Sequence, residues 1–289
     1  MHGNPLLFYY IYQTYRFRQD QKEVGQEKQM WKPYSEGTEY RHIRQLEALG
    51  PVTAIYTRKG WDRWPCNVFD AVDNYGKLGA IFGIGTDRMV RIPQTHTSNV
   101  RTVSLQNGGE GILRQAVEGY DGMVTNDAGL MLCTVEADCV PVYLYDPFKQ
   151  AIGMIHSGWR GCAGRIAEKG VEEMCRRYGS KPENIAAALG PCICGKCYEV
   201  GAELQDAFAV DFSEITDVIF TPGRDGKFYL DLPAALRYSL RRAELKEEHI
   251  FADPVCTYEA QDLCSWRREH DRDARMLTAI FLHDFRDQI

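Results

Sequence analysis

Two stretches that could do chemistry stand close together in the middle of the chain: Ala137-Asp138-Cys139 and His156-Ser157-Gly158-Trp159-Arg160-Gly161. Each lies where an apolar run gives way to a polar connection, the kind of strand end at which open sheets place their ligands. A third candidate, His96, stands 60 residues before His156, inside Pro93-Gln94-Thr95-His96-Thr97-Ser98-Asn99. Two imidazoles and one thiolate make a three-ligand set, the pattern of a catalytic zinc with a fourth position open to water or substrate. A zinc ion there would bring the pKa of a water to about 7. The gaps of 60 and 17 residues match no local metal motif. The residues alone therefore leave a second reading open, a buried thiol beside two hydrogen-bonded histidines.

A further cluster, Cys192-Ile193-Cys194-Gly195-Lys196-Cys197, contains a Cys-x-x-Cys pair at 194 and 197. It fits a redox pair, a structural zinc or ordinary thiols in a turn. A structural zinc needs four ligands, and the remote pair Cys256 and Cys264 lacks the close spacing of a zinc ribbon. The zinc deaminase signature is absent, because Gly195 stands where Pro191-Cys192 would need its second cysteine. Gly83-Ile84-Gly85 lacks a third glycine at the right offset and no Gly-Lys-Ser/Thr occurs, which argues against dinucleotide and triphosphate loops. The glycines from Gly158 to Gly164 open a helix that contains Arg160, so an anion such as phosphate suits that terminus. Arg267, Arg268, Arg272 and Arg275 are interleaved with Glu269, Asp271 and Asp273 and read as a solvated surface. Trp159 and Tyr198 fit packing better than a platform for a planar base.

These side chains need a scaffold. Residues 52–57 read as a β-branched strand ending in the turn Arg58-Lys59-Gly60, and residues 89–92 and 100–103 as short strands flanking the His96 connection. Residues 130–135, 140–145 and 151–155 are apolar runs of strand length, buried on both faces. Ala163, Ile166, Ala167, Gly170, Val171, Met174, Cys175 and Tyr178 follow at helical spacing. Residues 186–189 read as a strand, 200–208 as an amphipathic helix, Asp231 as the N-cap of a helix to about residue 243, and 276–282 as a last strand. Strands and helices mix without strict alternation or repeat, which predicts a single α+β domain over residues 49–289. Residues 1–48, aromatic and charged with little periodicity, read as a peripheral extension.

The composition narrows the classes. With 289 residues, 44% hydrophobic and 26% charged, the chain is globular rather than disordered. A formal charge of −6 gives no overall basic field, which argues against nucleic acid and membrane partners and favours a small molecule. Residues 6–12 are apolar but far short of the roughly 20 needed to span a bilayer. They lack the flanks of an export signal, so a cytoplasmic protein is expected. Its ten cysteines should then remain thiols. Seven histidines without a single His-x-His pair cannot supply a multi-centre copper oxidase.

Taken in order, five stretches resemble one family: Ala137-Asp138-Cys139-Val140-Pro141-Val142, His156-Ser157-Gly158-Trp159-Arg160-Gly161, Leu189-Gly190-Pro191, Cys197-Tyr198-Glu199-Val200-Gly201, and Ser265-Trp266-Arg267-Arg268 with Ala274-Arg275-Met276. The family is the laccase-domain purine nucleoside phosphorylases, long labelled polyphenol oxidases, and the resemblance runs from about residue 51 to 282. It implies a layered α/β/β/α domain with mixed sheets, and a catalytic Zn2+ held by His96 of Gln-x-His, Cys139 of Asp-Cys and His156 of the Gly-Trp-Arg motif. The implied activity is cleavage of adenosine, inosine and S-methyl-5'-thioadenosine with phosphate to free base and ribose 1-phosphate, with some adenosine deamination. Arg58, matching an arginine of the family's Ser-Thr-Arg motif, is the first choice for phosphate and Arg160 the second. Thr97 and Ala274 replace customary glycines, Ser157 replaces alanine, and residues 60–85 lack the usual Asn- and Asp-rich text. These departures bear on substrate preference. Three rivals use the same residues: a cysteine hydrolase or deamidase with Cys139 as nucleophile and His156 as base, an editing hydrolase of cell-wall precursors, and a binding protein that zinc merely stabilises.

Overall fold

Alternation along the strands sorts side chains onto two faces, and both faces here are apolar, so each strand must be covered twice. The computed structural model describes residues 39–61, 64 and 71–283. Most of the stretch read as a peripheral extension, residues 1–38, lies outside the described residues. In chain order come β1 (Tyr40–His42), a helical turn Arg44–Glu47, β2 (Val52–Thr57), a helix Val72–Phe82, β3 (Met89–Arg91), β4 (Val100–Thr102), β5 (Gly122–Thr125), β6 (Met131–Glu136), β7 (Val140–Asp146) and β8 (Ala151–Ser157). Helices Trp159–Ala163 and Ile166–Tyr178 lead to β9 (Ala186–Leu189) and β10 (Glu199–Val200). Helices Glu203–Phe208 and Thr216–Ile219 precede β11 (Phe220–Pro222) and β12 (Phe228–Leu230), and helix Leu232–Arg242 precedes β13 (Ile250–Ala252). A turn of helix, Trp266–Glu269, and β14 (Met276–Leu282) complete the series.

The strands form a five-stranded sheet in the order β1-β2-β14-β6-β3, a six-stranded sheet β13-β9-β7-β8-β5-β4 and a small sheet β10-β12-β11. Both large sheets are mixed: β3 with β6, β4 with β5 and β13 with β9 run parallel, and their other pairs antiparallel. Val52, Ala54 and Tyr56 of β2 and Ile280 and Leu282 of β14 pack against Tyr143 and Tyr145 of β7 and Ile152 and Met154 of β8, filling the space between the sheets. The alternate residues Ile55, Leu277, Ala279 and Phe281 cover Tyr75 and Leu78 of the helix Val72–Phe82. On the far side, Val142, Leu144 and Ile155 meet Ile166, Val171 and Met174 of one helix and Leu236 and Leu240 of another. Each such side chain contributes roughly 1.5–3 kcal/mol by leaving water. The result is the layered α/β/β/α, α+β architecture expected from the sequence. No helix of the described residues is long and apolar enough to cross a membrane.

Three local readings change. The helix expected to run on from the Gly158 turn breaks between Ala163 and Ile166, where Arg165 takes a left-handed conformation (φ 60°). The strained residue is held by ion pairs to Glu168 at 3.5 Å and Asp211 at 3.6 Å. The helix expected over 200–208 begins only at Glu203, because Glu199–Val200 pairs with β12. The segments β5, β10 to β13 and the helix Val72–Phe82 have no strong signal of their own and form on neighbours that the sequence does not place beside them. Asp231 does cap its helix, its Oδ1 accepting from Ala234 N at 2.9 Å.

Candidate active site

The connection from β6 to β7 carries the chain from one large sheet into the other, and Asp138 turns it with a φ of 86°. That left-handed conformation is held from three sides: Asp138 Oδ1 accepts from Thr257 Oγ1 at 2.7 Å, Oδ2 from Arg267 N at 2.6 Å, and the carbonyl from Ile193 N at 3.0 Å. The next residue is Cys139. His156 stands one residue from the end of β8, opposite Pro141 of β7, so the hairpin register brings imidazole and thiol to one edge.

His96 arrives by a different route. Its connection leaves β3, and the side chain of Gln94 behaves like a strand backbone: Nε2 donates to Val135 O at 2.7 Å and Oε1 accepts from Val135 N at 2.8 Å. Beyond it, His96 N and Thr97 N donate to the two carboxylate oxygens of Asp121 at 3.0 and 2.6 Å. Gln94 and His96 both sit at positive φ, 56° and 60°, so the clips at each end stabilise a conformation the residues would not choose alone.

The Nε2 or Nδ1 atoms of His96 and His156 and the Sγ of Cys139 lie within 4.8 Å of one another. Cys139 Sγ is 4.0 Å from His96 Nε2, and the two imidazoles meet edge to face at 4.8 Å. Gly158 closes the floor, for a Cβ there would stand 3.0 Å from both Cys139 Sγ and His96 Cδ2. Asp121, fully buried, also lies 2.8 Å from His156 Nδ1, which makes that nitrogen the donor and turns Nε2 toward the cluster. A carboxylate behind a histidine in this way is the usual support of a metal-binding imidazole.

The electrostatics ask for a positive charge. Burial pushes Asp121 up, but the hydrogen bonds from His156 and Thr97 outweigh it and hold the carboxyl below its ordinary value. Burial lowers His156, yet Glu136, Cys139 and Asp121 together raise it well above the usual imidazole range. Glu136 is 1% exposed, and its Oε2 lies 3.7 Å from His156 Nε2. Desolvation pushes its carboxyl up to about 7. A proton on the ring, or a cation among the three donors, satisfies this group of acids. His96, by contrast, is lowered by burial and then by the neighbouring His156. A buried carboxylate behind a convergent nitrogen, nitrogen and sulfur set fits a bound metal ion.

The structure thus brings His96, Cys139 and His156 together. Arg160 lies over the Trp159 ring at 4.2 Å, and its charge helps to depress His96. The helix that contains it is only five residues long, so the terminus at Gly158 is not the end of the long helix Ile166–Tyr178. Arg58 is held by Asp262, Nε to Oδ2 3.1 Å, an acid shared with Arg41. Of the arginines read as a solvated surface, Arg272 is exposed, whereas Arg267, Arg268 and Arg275 are engaged. Arg268 Nη1 donates to the carbonyls of Thr257, Tyr258 and Ala260, and Arg267 Nη1 to that of Glu199. Arg275 acts electrostatically on both His96 and Glu136. It also lines a cavity of about 630 Å³ with Lys59, Gly60, Cys264 and Glu269. Another cavity, about 710 Å³, lies between Ser98–Val100 and Lys169–Arg176, and its lining omits all three candidate ligands. Sequence reasoning missed Asp121, Glu136 and Arg275. For Glu136 a signal was present, an acid closing an apolar strand.

The sequence family described as multi-copper polyphenol oxidoreductase laccase matches residues 69–283. An adenosine deaminase, RL5, of an unknown prokaryotic organism is 36% identical over 207 residues, 71% of this chain and 79% of its own. The purine nucleoside phosphorylase YlmD of Bacillus subtilis (strain 168) is 32% identical over 215 residues, 73% of this chain and 77% of its own. Among solved structures, the hypothetical protein YfiH of Bacillus licheniformis superposes with a TM-score of 0.79 at 29% identity, covering 87% of this chain and 100% of that one. YlmD of Geobacillus stearothermophilus gives 0.79 at 28% identity, with 87% and 98% covered.

Proposed function

The chain belongs to the multi-copper polyphenol oxidoreductase laccase family, and from that premise we propose that it is a zinc-dependent purine nucleoside phosphorylase of the cytoplasm, with residues 49–289 as its catalytic domain. The observation that carries the reading is the convergence of His96, Cys139 and His156 within 4.8 Å in front of buried Asp121 and Glu136, in a chain whose relatives are named for purine nucleosides. His96 Nε2, Cys139 Sγ and His156 Nε2 would hold the ion. Zinc so bound supplies a Lewis acid that stabilises developing negative charge on oxygen.

The chain's own residues do the rest. Asp121 fixes the tautomer of His156 and the backbone of His96 with one carboxylate. We assign the phosphate to Arg160 and Arg275, whose charges already reach His96. Arg58 joins them if Asp262 releases it. A phosphate oxygen attacks the ribose carbon, the glycosidic bond breaks, and the departing purine needs a proton. Glu136, buried 3.7 Å from His156 Nε2, balances the positive charge of the ligand set, and the proton for the purine comes from the phosphate or from solvent. Adenosine, inosine and S-methyl-5'-thioadenosine are the substrates, and adenosine deamination is a second reaction on the same nucleoside.

One observation favours a second reading. Cys139, His156 and Asp121 also compose a thiol, imidazole and carboxylate series, with the His156–Asp121 contact at 2.8 Å. That reading leaves unexplained why His96 is clipped at two points into a left-handed conformation facing the same sulfur.

The deciding experiment incubates purified protein with adenosine, with and without phosphate, and resolves adenine, inosine and hypoxanthine by chromatography. Adenine release that requires phosphate, is lost on chelation and falls at least about 100-fold in His156→Ala is the expected result. Turnover that survives chelation supports the cysteine nucleophile, and no product from zinc-loaded protein removes the purine reading.

A further inference from the structure

Cys194, Cys197 and Cys256 form a second convergence of ligand atoms, with the three sulfurs within 4.8 Å of one another. The turn at 194–198 produces half of it: Cys197 N and Tyr198 N both donate to Cys194 O, at 3.0 and 3.1 Å, which brings the two thiols of the Cys-x-x-Cys pair to one side. Gly195 makes the turn fit, since a Cβ there would stand 2.7 Å from that of Asp231. The third sulfur comes from a distant segment through a parallel bridge between Cys192 and Cys256, fixed by Thr257 N donating to Cys192 O at 2.9 Å. Cys264, the other remote cysteine, is buried between the large sheets and takes no part.

We propose that Cys194, Cys197 and Cys256, with Glu259 as fourth ligand, are a structural zinc site that clamps the 190–198 loop to the 253–260 loop. Glu259 Oε1 is 3.7 Å from Cys197 Sγ and stands just outside the mutual 4.8 Å set of the three sulfurs, so a rotation of this exposed side chain brings its oxygen in as the fourth donor. Cys194 N donates to Cys256 Sγ at 3.4 Å, the backbone hydrogen bond that supports a thiolate ligand. Three thiolate donors with a carboxylate within reach suit zinc in a structural role. A redox pair would need only Cys194 and Cys197 and gives no reason for a third sulfur and a carboxylate beside them.

The clamp reaches the candidate active site through one residue. Ile193, next to Cys194, donates to the carbonyl of Asp138, and Thr257, next to Cys256, donates to its side chain. Asp138 in turn sets Cys139. Both loops that the second zinc joins are therefore the loops that hold the turn carrying Cys139.

Metal analysis of the full chain tests this independently of the purine reading. Zinc is counted per chain in the parent, Cys194→Ser, Cys256→Ser and His156→Ala, purified under reducing conditions. The two serine variants are expected to lose one zinc relative to the parent, and His156→Ala to keep that zinc whatever happens at its own site. Should the serine variants not fold, cobalt-loaded Cys139→Ser decides, because its only proposed cysteine ligands are these three and a thiolate-to-cobalt charge-transfer band is expected. Unchanged zinc in folded Cys194→Ser, no such band in cobalt-loaded Cys139→Ser, or a Cys194–Cys197 disulfide in the reduced protein overturns the proposal.

Discussion

Around His96, Cys139 and His156 the donors lean on carboxylates that are themselves buried, whereas around Cys194, Cys197 and Cys256 the sulfurs take a backbone N–H and an exposed glutamate. The first cluster sits between two sheets, with each ligand delivered by a strand end or a clipped loop. The second sits between two loops, with Cys194 and Cys197 from one and Cys256 and Glu259 from the other. The difference teaches what separates a reactive site from a fastening. Buried Asp121 and Glu136 make the first cluster costly to leave without a positive charge, while the loops of the second are already joined by the Cys192–Cys256 bridge, which ligation would tighten.

Asp121→Asn gives the largest effect that separates the two. An asparagine keeps one acceptor oxygen, but its NH2 meets Thr97 N and Oγ1, which now donate to Asp121 Oδ2 at 2.6 and 2.8 Å. The substitution should weaken metal binding or activity at the first cluster by about 10–100-fold. Zinc at the second should be unaffected. Equal loss from both clusters, measured by metal competition with a chromophoric chelator, would break the comparison.

A smaller effect is expected from Gly158→Ala. Gly158 has an ordinary φ of −77°, so alanine adds no backbone strain and only crowds Cys139 Sγ and His96 Cδ2, each 3.0 Å from the new carbon. Displacing these ligands by a few tenths of an ångström should lower kcat about 10-fold through lost positioning and leave KM nearly unchanged. If kcat is unchanged, the first cluster is not built to that tolerance.

How far such features could be read beforehand depended on whether a side chain's partner lay within its own element. Residues of β6, β7 and β8 announced themselves because both faces are apolar, and the spacing from Ile166 to Tyr178 fixed a helix without help. His96, Cys139 and His156 were found because reactive side chains at strand ends are conspicuous, although nothing in their spacing joined them. Asp121 escaped because its role comes from β5 pairing with β8, which puts Asp121 O against His156 N. Gln94 escaped because an amide that imitates a strand looks like any loop glutamine. The Cys-x-x-Cys pair was visible, but that Cys256 rather than Cys264 joins it is decided by the bridge to Cys192.

The last test bears on the buried charge that sets the first cluster apart. Glu136 has its carboxyl raised by desolvation from an ordinary 4.5 to about 7. The folded protein therefore binds this proton more tightly than the unfolded chain does. The resulting stability is fully present below pH 4.5 and is lost as the pH rises through about 7. Taken alone, the shift, which already includes the lowering by His156, corresponds to about 3 kcal/mol. Glu136→Gln keeps the shape and removes the titration, so in chelator-treated protein the variant should match the parent near pH 5 and exceed it by about 1–3 kcal/mol at pH 8. Added zinc should shrink or reverse the gap, because a cation beside the carboxylate favours its charged form. Urea midpoints at the two pH values, with and without zinc, check both parts. A parent as stable as Glu136→Gln at pH 8 without metal would mean that His156 and Thr134 already compensate the Glu136 charge, and that the first cluster does not call for a cation.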